Sequence, residues 1–154
     1  MPYLLARVRV GDTRRAMSQE NVKAYMRAVE AFNRPDIEAL LEELDPEVEW
    51  YSALSGMGSE VYRGVEGVHE LVRDMGEVFA SWTFEVSDIR DLGDRALSLG
   101  RLYARGHESG VQTEVSFNQL LDFKGGKVMR VRSFLDSEEA LDAVGLSEEP
   151  PKNP

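Results

Sequence analysis

The sequence predicts an α+β fold in which N-terminal helices lie against one face of a bent, mainly antiparallel sheet. Three observations carry this. Residues 95–105, 114–123 and 127–135 each alternate side-chain character with period two, as half-buried strands do. Turn chemistry separates them, with Gly106-His-Glu-Ser-Gly110 after the first and Lys124-Gly-Gly-Lys127 after the second. Upstream, apolar residues recur at spacings of three and four, the period of a helix with one buried face.

In chain order, residues 1–16 stand apart because they carry Arg7, Arg9, Arg14 and Arg15 against Asp12 alone. They read as a flexible extension, either a basic arm or an upstream start with Met17 as the natural first residue. Leu4-Leu5-Ala6 is too short for the apolar core of a signal peptide. Ser18 is placed to cap a first helix, whose face bears Val22, Tyr25, Met26, Val29 and Phe32. Pro35 ends it, since a proline disfavours helix at the residue before it. Asp36 then caps a short second helix bearing Ile37, Leu40, Leu41 and Leu44. Leu44-Asp45-Pro46 reads as a turn and residues 48–52 as a first strand. Residues 53–63, with Gly56 and Gly58 and no periodicity, read as a mobile loop at the rim of a cavity. A third helix carries Val68, Leu71, Val72, Met75 and Phe79, and residues 82–86 form a second strand. After the three alternating segments, Asp136 caps a last helix over residues 140–144, which Gly145 closes. Residues 147–154, with three prolines, predict a disordered tail. Residues 17–146 therefore make one domain.

Parity sorts the three alternating segments into two faces. One collects Ser98, Gly100, Leu102 and Ala104, then Val115, Phe117, Gln119, Leu121 and Phe123, then Met129, Val131, Ser133 and Leu135. The other collects Arg101, Tyr103, Arg105, Glu114, Ser116, Asn118, Asp122, Arg130 and Arg132. The first face is an apolar wall for the helices, and the second is charged and outward. Cross-strand pairing with Glu114 and Asp122 accounts for the arginines without an anionic substrate. A helix-covered, twisted sheet leaves a conical interior, where ligands bind.

Composition excludes several functions. A net charge of −10 opposes nucleic-acid binding, which needs concentrated basic surface. With no cysteine there is no disulfide, thiolate metal site or cysteine nucleophile, and two distant histidines argue against a metal centre. No apolar run approaches the roughly 20 residues of a membrane span. The expectation is a cytoplasmic protein with no cofactor, no metal, no nucleic-acid partner and no membrane partner.

The order of elements, together with Gln19-Glu-Asn21, Ala31-Phe-Asn33 with Asp36, Arg63-Gly64-Val-Glu-Gly67-Val, Gly106-His-Glu-Ser-Gly110, Gly126-Lys-Val128, Phe134-Leu-Asp136 and Glu139-Ala140-Leu141, resembles the SnoaL-like polyketide cyclases. These belong to the nuclear transport factor 2-like superfamily, which also contains the steroid isomerases. The resemblance covers residues 17–146 and implies a cone-shaped fold, with a curved sheet wrapped around three N-terminal helices and a short C-terminal helix. It does not imply one chemistry, because the superfamily spans isomerases, cyclases, hydrolases and non-catalytic members. The steroid-isomerase set is a helix tyrosine, a first-strand carboxylate and a protonated acid on a later strand. The aligned positions here hold Ala28, Trp50 and Gln119, with Tyr25 one turn before Ala28. The base is missing, which argues against that mechanism.

The expected ligand-binding residues are Tyr25, Trp50, Tyr62, Ser98, Leu102, Phe117, Gln119 and Ser133. Gln119 leads, because it is a lone amide between Phe117 and Leu121 on the apolar face. Trp50 and Tyr25 carry a donor into the interior, and Tyr62 stands at the rim. His69 and His107 read as solvated, Asp136 as a cap, and Glu47 and Glu49 as a solvated strand edge. Two readings follow: a pocket for a small apolar molecule, with isomerase, cyclase or hydrolase chemistry if any, or a non-catalytic binding or association module. In either, the outer sheet face, bearing Arg101, Tyr103, Arg130 and Phe134, is expected to form a homodimer.

Overall fold

The computed structural model describes residues 7–9, 15–54, 56–108 and 110–145, with side chains from Ser18 onward. The elements in order are β1 (Arg7–Arg9), α1 (Arg15–Asn33), α2 (Ile37–Glu42), β2 (Leu44–Tyr51), β3 (Val61–Arg63), α3 (Gly64–Val78), β4 (Ser81–Asp91), β5 (Arg95–Arg105), β6 (Gln112–Lys124), β7 (Lys127–Phe134) and α4 (Ser137–Ala143). The strands form one sheet in the order β1-β4-β5-β6-β7-β2-β3. The meander from β4 to β7 is antiparallel, whereas β1 on β4 and β2 on β7 run parallel. This is the expected α+β cone, with α1, α2 and α3 filling the concave side.

Side-chain spacing explains the core. Val22, Tyr25, Met26, Val29 and Phe32 of α1 are buried together with Leu71, Val72 and Met75 of α3 and with Phe84, Leu102, Phe117 and Leu121 from the sheet. Asp36 accepts from the Ala39 N–H at 3.1 Å and caps α2 as expected. Asn33 does more than end α1. Its side-chain amide donates to the Phe84 carbonyl at 2.9 Å and accepts from the Phe84 N–H at 2.8 Å. It thus fills one place on the edge of β4 as a strand would.

The sequence-based boundaries need several corrections. Ser18 is no cap, for α1 starts at Arg15 and Ser18 is buried within it. Leu44 to Pro46 is no turn, because Leu44 already pairs with Val128 of β7 and an irregularity before Glu49 absorbs the proline. The loop ends at Glu60. Residues 61–63 pair antiparallel with β2, which sets Tyr62 opposite Trp50. β4 runs to Asp91, well past Val86, and α4 starts at Ser137 with Asp136 capping the Glu138 N–H at 2.9 Å. β1 falls within the extension expected to be flexible, and the tail over residues 147–154 lies outside the described residues.

The two faces also differ from simple parity. A register shift between Asp122 and Phe123 turns Val128 inward, so Met129 is only half-buried and Leu135, beyond the strand, is exposed. Val115 is exposed near the open end of its strand. The outer face is not charged throughout. Leu97 and Leu120 are buried there with Ala140 and Leu141 of α4, flanked by Leu99, Phe134 and Val144. The C-terminal helix therefore roofs a second, smaller core. The ion pairs lie on the remainder: Arg101 with Glu114, Arg95 with Asp122 at 3.0 Å, and Arg130 with Glu49 at 3.4 Å and Asp122 at 3.9 Å.

Candidate functional site

The register of the meander explains the polar centre of the cone. Ser98 of β5 lies opposite Gln119 of β6, which lies opposite Ser133 of β7, so three polar side chains cross the apolar wall in one row. Tyr25 reaches them from α1. Its phenol is 2.7 Å from Gln119 Oε1, to which it donates, and 3.0 Å from Ser98 Oγ. Gln119 Nε2 donates to Ser133 Oγ at 3.3 Å. The Tyr25 proton sets the amide's orientation, with oxygen toward the helix and nitrogen toward β7. The second N–H of Gln119 has no acceptor among the described residues.

Burial pushes the Tyr25 phenol far above its ordinary value, and the Ser98 contact offsets this in part. At neutral pH Tyr25 is therefore a neutral donor and no base. Beside this row is a void of about 10 Å³, lined by Tyr25, Ala28, Trp50, Phe84 and Gln119 among others. Its size suits one water molecule. No carboxylate or imidazole lines it. Asp91 shares the inward parity, but it accepts from Gly93 N at 3.0 Å and does not line the void. Such a site can hold and orient an oxygen atom of a ligand. It supplies no acid–base pair for proton abstraction.

The structure thus brings together Tyr25, Trp50, Ser98, Gln119 and Ser133. Tyr25, rather than the aligned Ala28, carries the helix hydroxyl inward. Leu102 and Phe117 are buried in the core, with Phe117 edge-on to Phe84 at 4.9 Å between ring centroids. Tyr62 is a correction. It is 1% exposed, not at a rim, and donates to Asp74 Oδ2 at 2.6 Å. The same carboxylate oxygen accepts from Gly58 N at 3.1 Å, and the Tyr62 phenol accepts from Ser59 N at 3.2 Å. These bonds tie down part of the loop expected to be mobile. His69 is exposed, and His107, also exposed, has Nε2 2.7 Å from the Gly76 carbonyl. Glu49 is half-buried between Arg63 and Arg130, and the Tyr51 hydroxyl lowers its pKa.

One feature was not legible beforehand. A surface cleft of about 610 Å³ lies between α1 and the edge of β4, lined by Met26, Val29, Asn33, Phe84, Val86 and Tyr103 among others. Parity put Tyr103 outside, whereas the structure buries Phe84, and the exposed edge of β4 lets one cavity wrap round both.

A cone-shaped α+β domain with a tyrosine and an amide meeting at its centre defines the class. Residues 22–131 match the SnoaL-like domain family, and the chain belongs to it. Among solved structures it is similar to TerC co-crystallised with polyporic acid, at 21% identity and a TM-score of 0.69, over 77% of this chain and 92% of that one. It is also similar to a nuclear transport factor 2-like protein of unknown function from Burkholderia pseudomallei K96243, at 21% identity and a TM-score of 0.69, over 82% of this chain and 98% of that one. A protein from Jannaschia sp. CCS1 assigned to the SnoaL-like polyketide cyclases shares 19% identity and a TM-score of 0.69, over 92% of this chain and 100% of that one. At these identities the likeness is one of fold. No functionally curated protein matches the sequence significantly.

Proposed function

We propose that the protein binds a small, largely apolar molecule inside the cone and needs no cofactor to do so. The observation that carries this reading is the Tyr25–Gln119 pair at the centre of an apolar wall, with one amide N–H left to meet an oxygen of the ligand. A buried polar group without a partner costs about 1–3 kcal/mol, so a ligand carbonyl or hydroxyl gains by meeting it. That a small molecule was co-crystallised with the similar TerC supports the same reading. If chemistry follows binding, it is an isomerisation, cyclisation or hydrolysis in which the free N–H of Gln119, its amide held by Tyr25, stabilises developing negative charge on oxygen. The base would come from the ligand or from water, because none lines the void.

The test is titration with neutral aromatic ketones and phenols, followed by the side-chain amide resonances of Gln119. Binding should shift them, and Gln119→Leu should weaken it about tenfold, the loss of one hydrogen bond at roughly 1.4 kcal/mol. Unmoved Gln119 resonances at millimolar ligand would sink the proposal.

A second reading is favoured by the small size of the void, which leaves little room for a ligand in this conformation. On that reading the domain is an association module that dimerises through its outer sheet face. A dimer that forms equally well in the Gln119→Leu variant and binds no ligand would favour it.

A further inference from the structure

The void at Tyr25 and Gln119 is small and lined by buried side chains, and the cleft between α1 and β4 is far larger and reaches the surface. Yet Val29 and Phe84 line both. These two side chains are therefore a partition, with the polar row on one side and solvent on the other. Phe84 sits on a stretch of β4 that is irregular nearby, for its register against β5 shifts between Val86 and Asp88. Gly100 on β5 makes room there. A Cβ at that position would come within 2.1 Å of the Glu85 carbonyl oxygen and 3.0 Å of Phe84 Cε1. The Phe84 ring thus lies over Gly100 of β5 and against Phe117 of β6, in a place that one added carbon would take away.

We propose that the cleft is the entrance to the cone and that Phe84, with Val29, is its gate. The proposal rests on the interior being the ligand site, and it adds the route and the kind of occupant. When the Phe84 ring swings toward the cleft, void and cleft become one site. An aromatic ring of the ligand then replaces Phe84 against Phe117, and its oxygen reaches the free N–H of Gln119. The charges lining the cleft balance, Arg34 and Arg101 against Glu30 and Glu85, and so select for a neutral molecule. Arg101 already pairs with Glu114, and Arg34 lies 4.0 Å from Asp36, so neither is left to hold an anion. Met26, Val29 and Val86 supply an apolar floor, and Tyr103 a phenol at the rim. The ligand class is thus a neutral aromatic compound bearing one ring hydroxyl or carbonyl.

The probe for this is 1-naphthol, titrated into the full chain and followed by heteronuclear NMR and stopped-flow fluorescence. In the wild-type protein the naphthol should shift both the cleft signals, Met26 and Ser87, and the Gln119 side-chain amide. Phe84→Ala should raise the association rate at least tenfold, and Val29→Ala, a milder change on the helix side, should raise it severalfold. Val65, exposed on α3, lines neither the cleft nor the void, and Val65→Ala should leave the rate unchanged. Shifts at Gln119 with none at the cleft, or an association rate indifferent to both Phe84→Ala and Val29→Ala, would overturn the gate while leaving the interior site standing. Shifts confined to the cleft in every variant would overturn both readings. Far-UV circular dichroism shows which variants are folded, and Val29→Ala carries the test alone if Phe84→Ala is not.

Discussion

At the scale of single residues, two buried phenols illustrate how environment decides what a side chain can do. Burial raises Tyr62 to about 12, helped by the hydrogen bond it donates to the Asp74 carboxylate. Tyr25 is raised further by the same cause. Both folded-state values exceed the unfolded phenol's value of about 10. The sign of the linkage follows: their contribution to stability is complete below about pH 10 and is lost as pH rises through the folded-state values. Stability to urea is therefore expected to fall between about pH 10 and pH 12, with Tyr62→Phe flattening that fall. A tyrosinate absorbance titration compared with Tyr25→Phe and Tyr62→Phe should show both phenols ionising above the free phenol's value of about 10, and early ionisation of either would contradict the buried network. At this scale Tyr25, Ser98, Gln119 and Ser133 were legible because strand parity and helix periodicity report direction. Tyr62 was not, since it lies on a strand of three residues, too short for alternation to register.

At the scale of elements, what joins helix to sheet matters more than either alone. The final residue of α1, Asn33, completes the hydrogen bonding of Phe84 on β4, and the Trp82 indole donates to the Phe32 carbonyl at 3.0 Å. The end of α1 is thus stitched to the start of β4, which fixes the wall that Phe84 contributes to the cone. Asn33→Ala removes both bonds at Phe84, each worth about 0.5–1.5 kcal/mol, and also bares a strand edge. The expected outcome is a loss of about 1–3 kcal/mol by urea denaturation, with increased light scattering on prolonged incubation. A variant as stable as the parent would show that Asn33 only ends the helix. The long elements were readable because amphipathic period and turn residues agree over many positions. The bulges at Val86 and Asp122 were not, because a bulge leaves no signature in alternation except its failure. That failure is why Met129 was placed inside and Val128 was missed.

At the scale of the whole molecule, the sheet's two faces carry unequal burdens. The concave face holds the main core. The convex face is divided, with α4 roofing Leu97, Leu120 and Phe134 and leaving the halves of β4, β5 and β6 near Arg101 bare. The sequence showed the convex face as uniformly charged because α4 is short and its apolar residues, Ala140, Leu141 and Val144, have no evident partner until the chain folds back. A dimer through this face must therefore use a smaller surface than parity suggested, centred on Arg101, Tyr103 and Glu114 rather than on Phe134. Arg101 and Glu114 pair across β5 and β6 within one chain, and an isologous interface lets the same two charges pair across the axis as well. If that interface exists, Arg101→Glu sets like charges beside one another and should raise the dimer dissociation constant at least tenfold, about 1.4 kcal/mol. Arg101→Glu combined with Glu114→Arg restores the pairing with its sense reversed and should recover most of the loss. Light scattering across the micromolar range measures both. A monomer throughout, or a dimer indifferent to the sign at both positions, would remove the convex face as an interface and leave the concave interior as the functional side of the sheet.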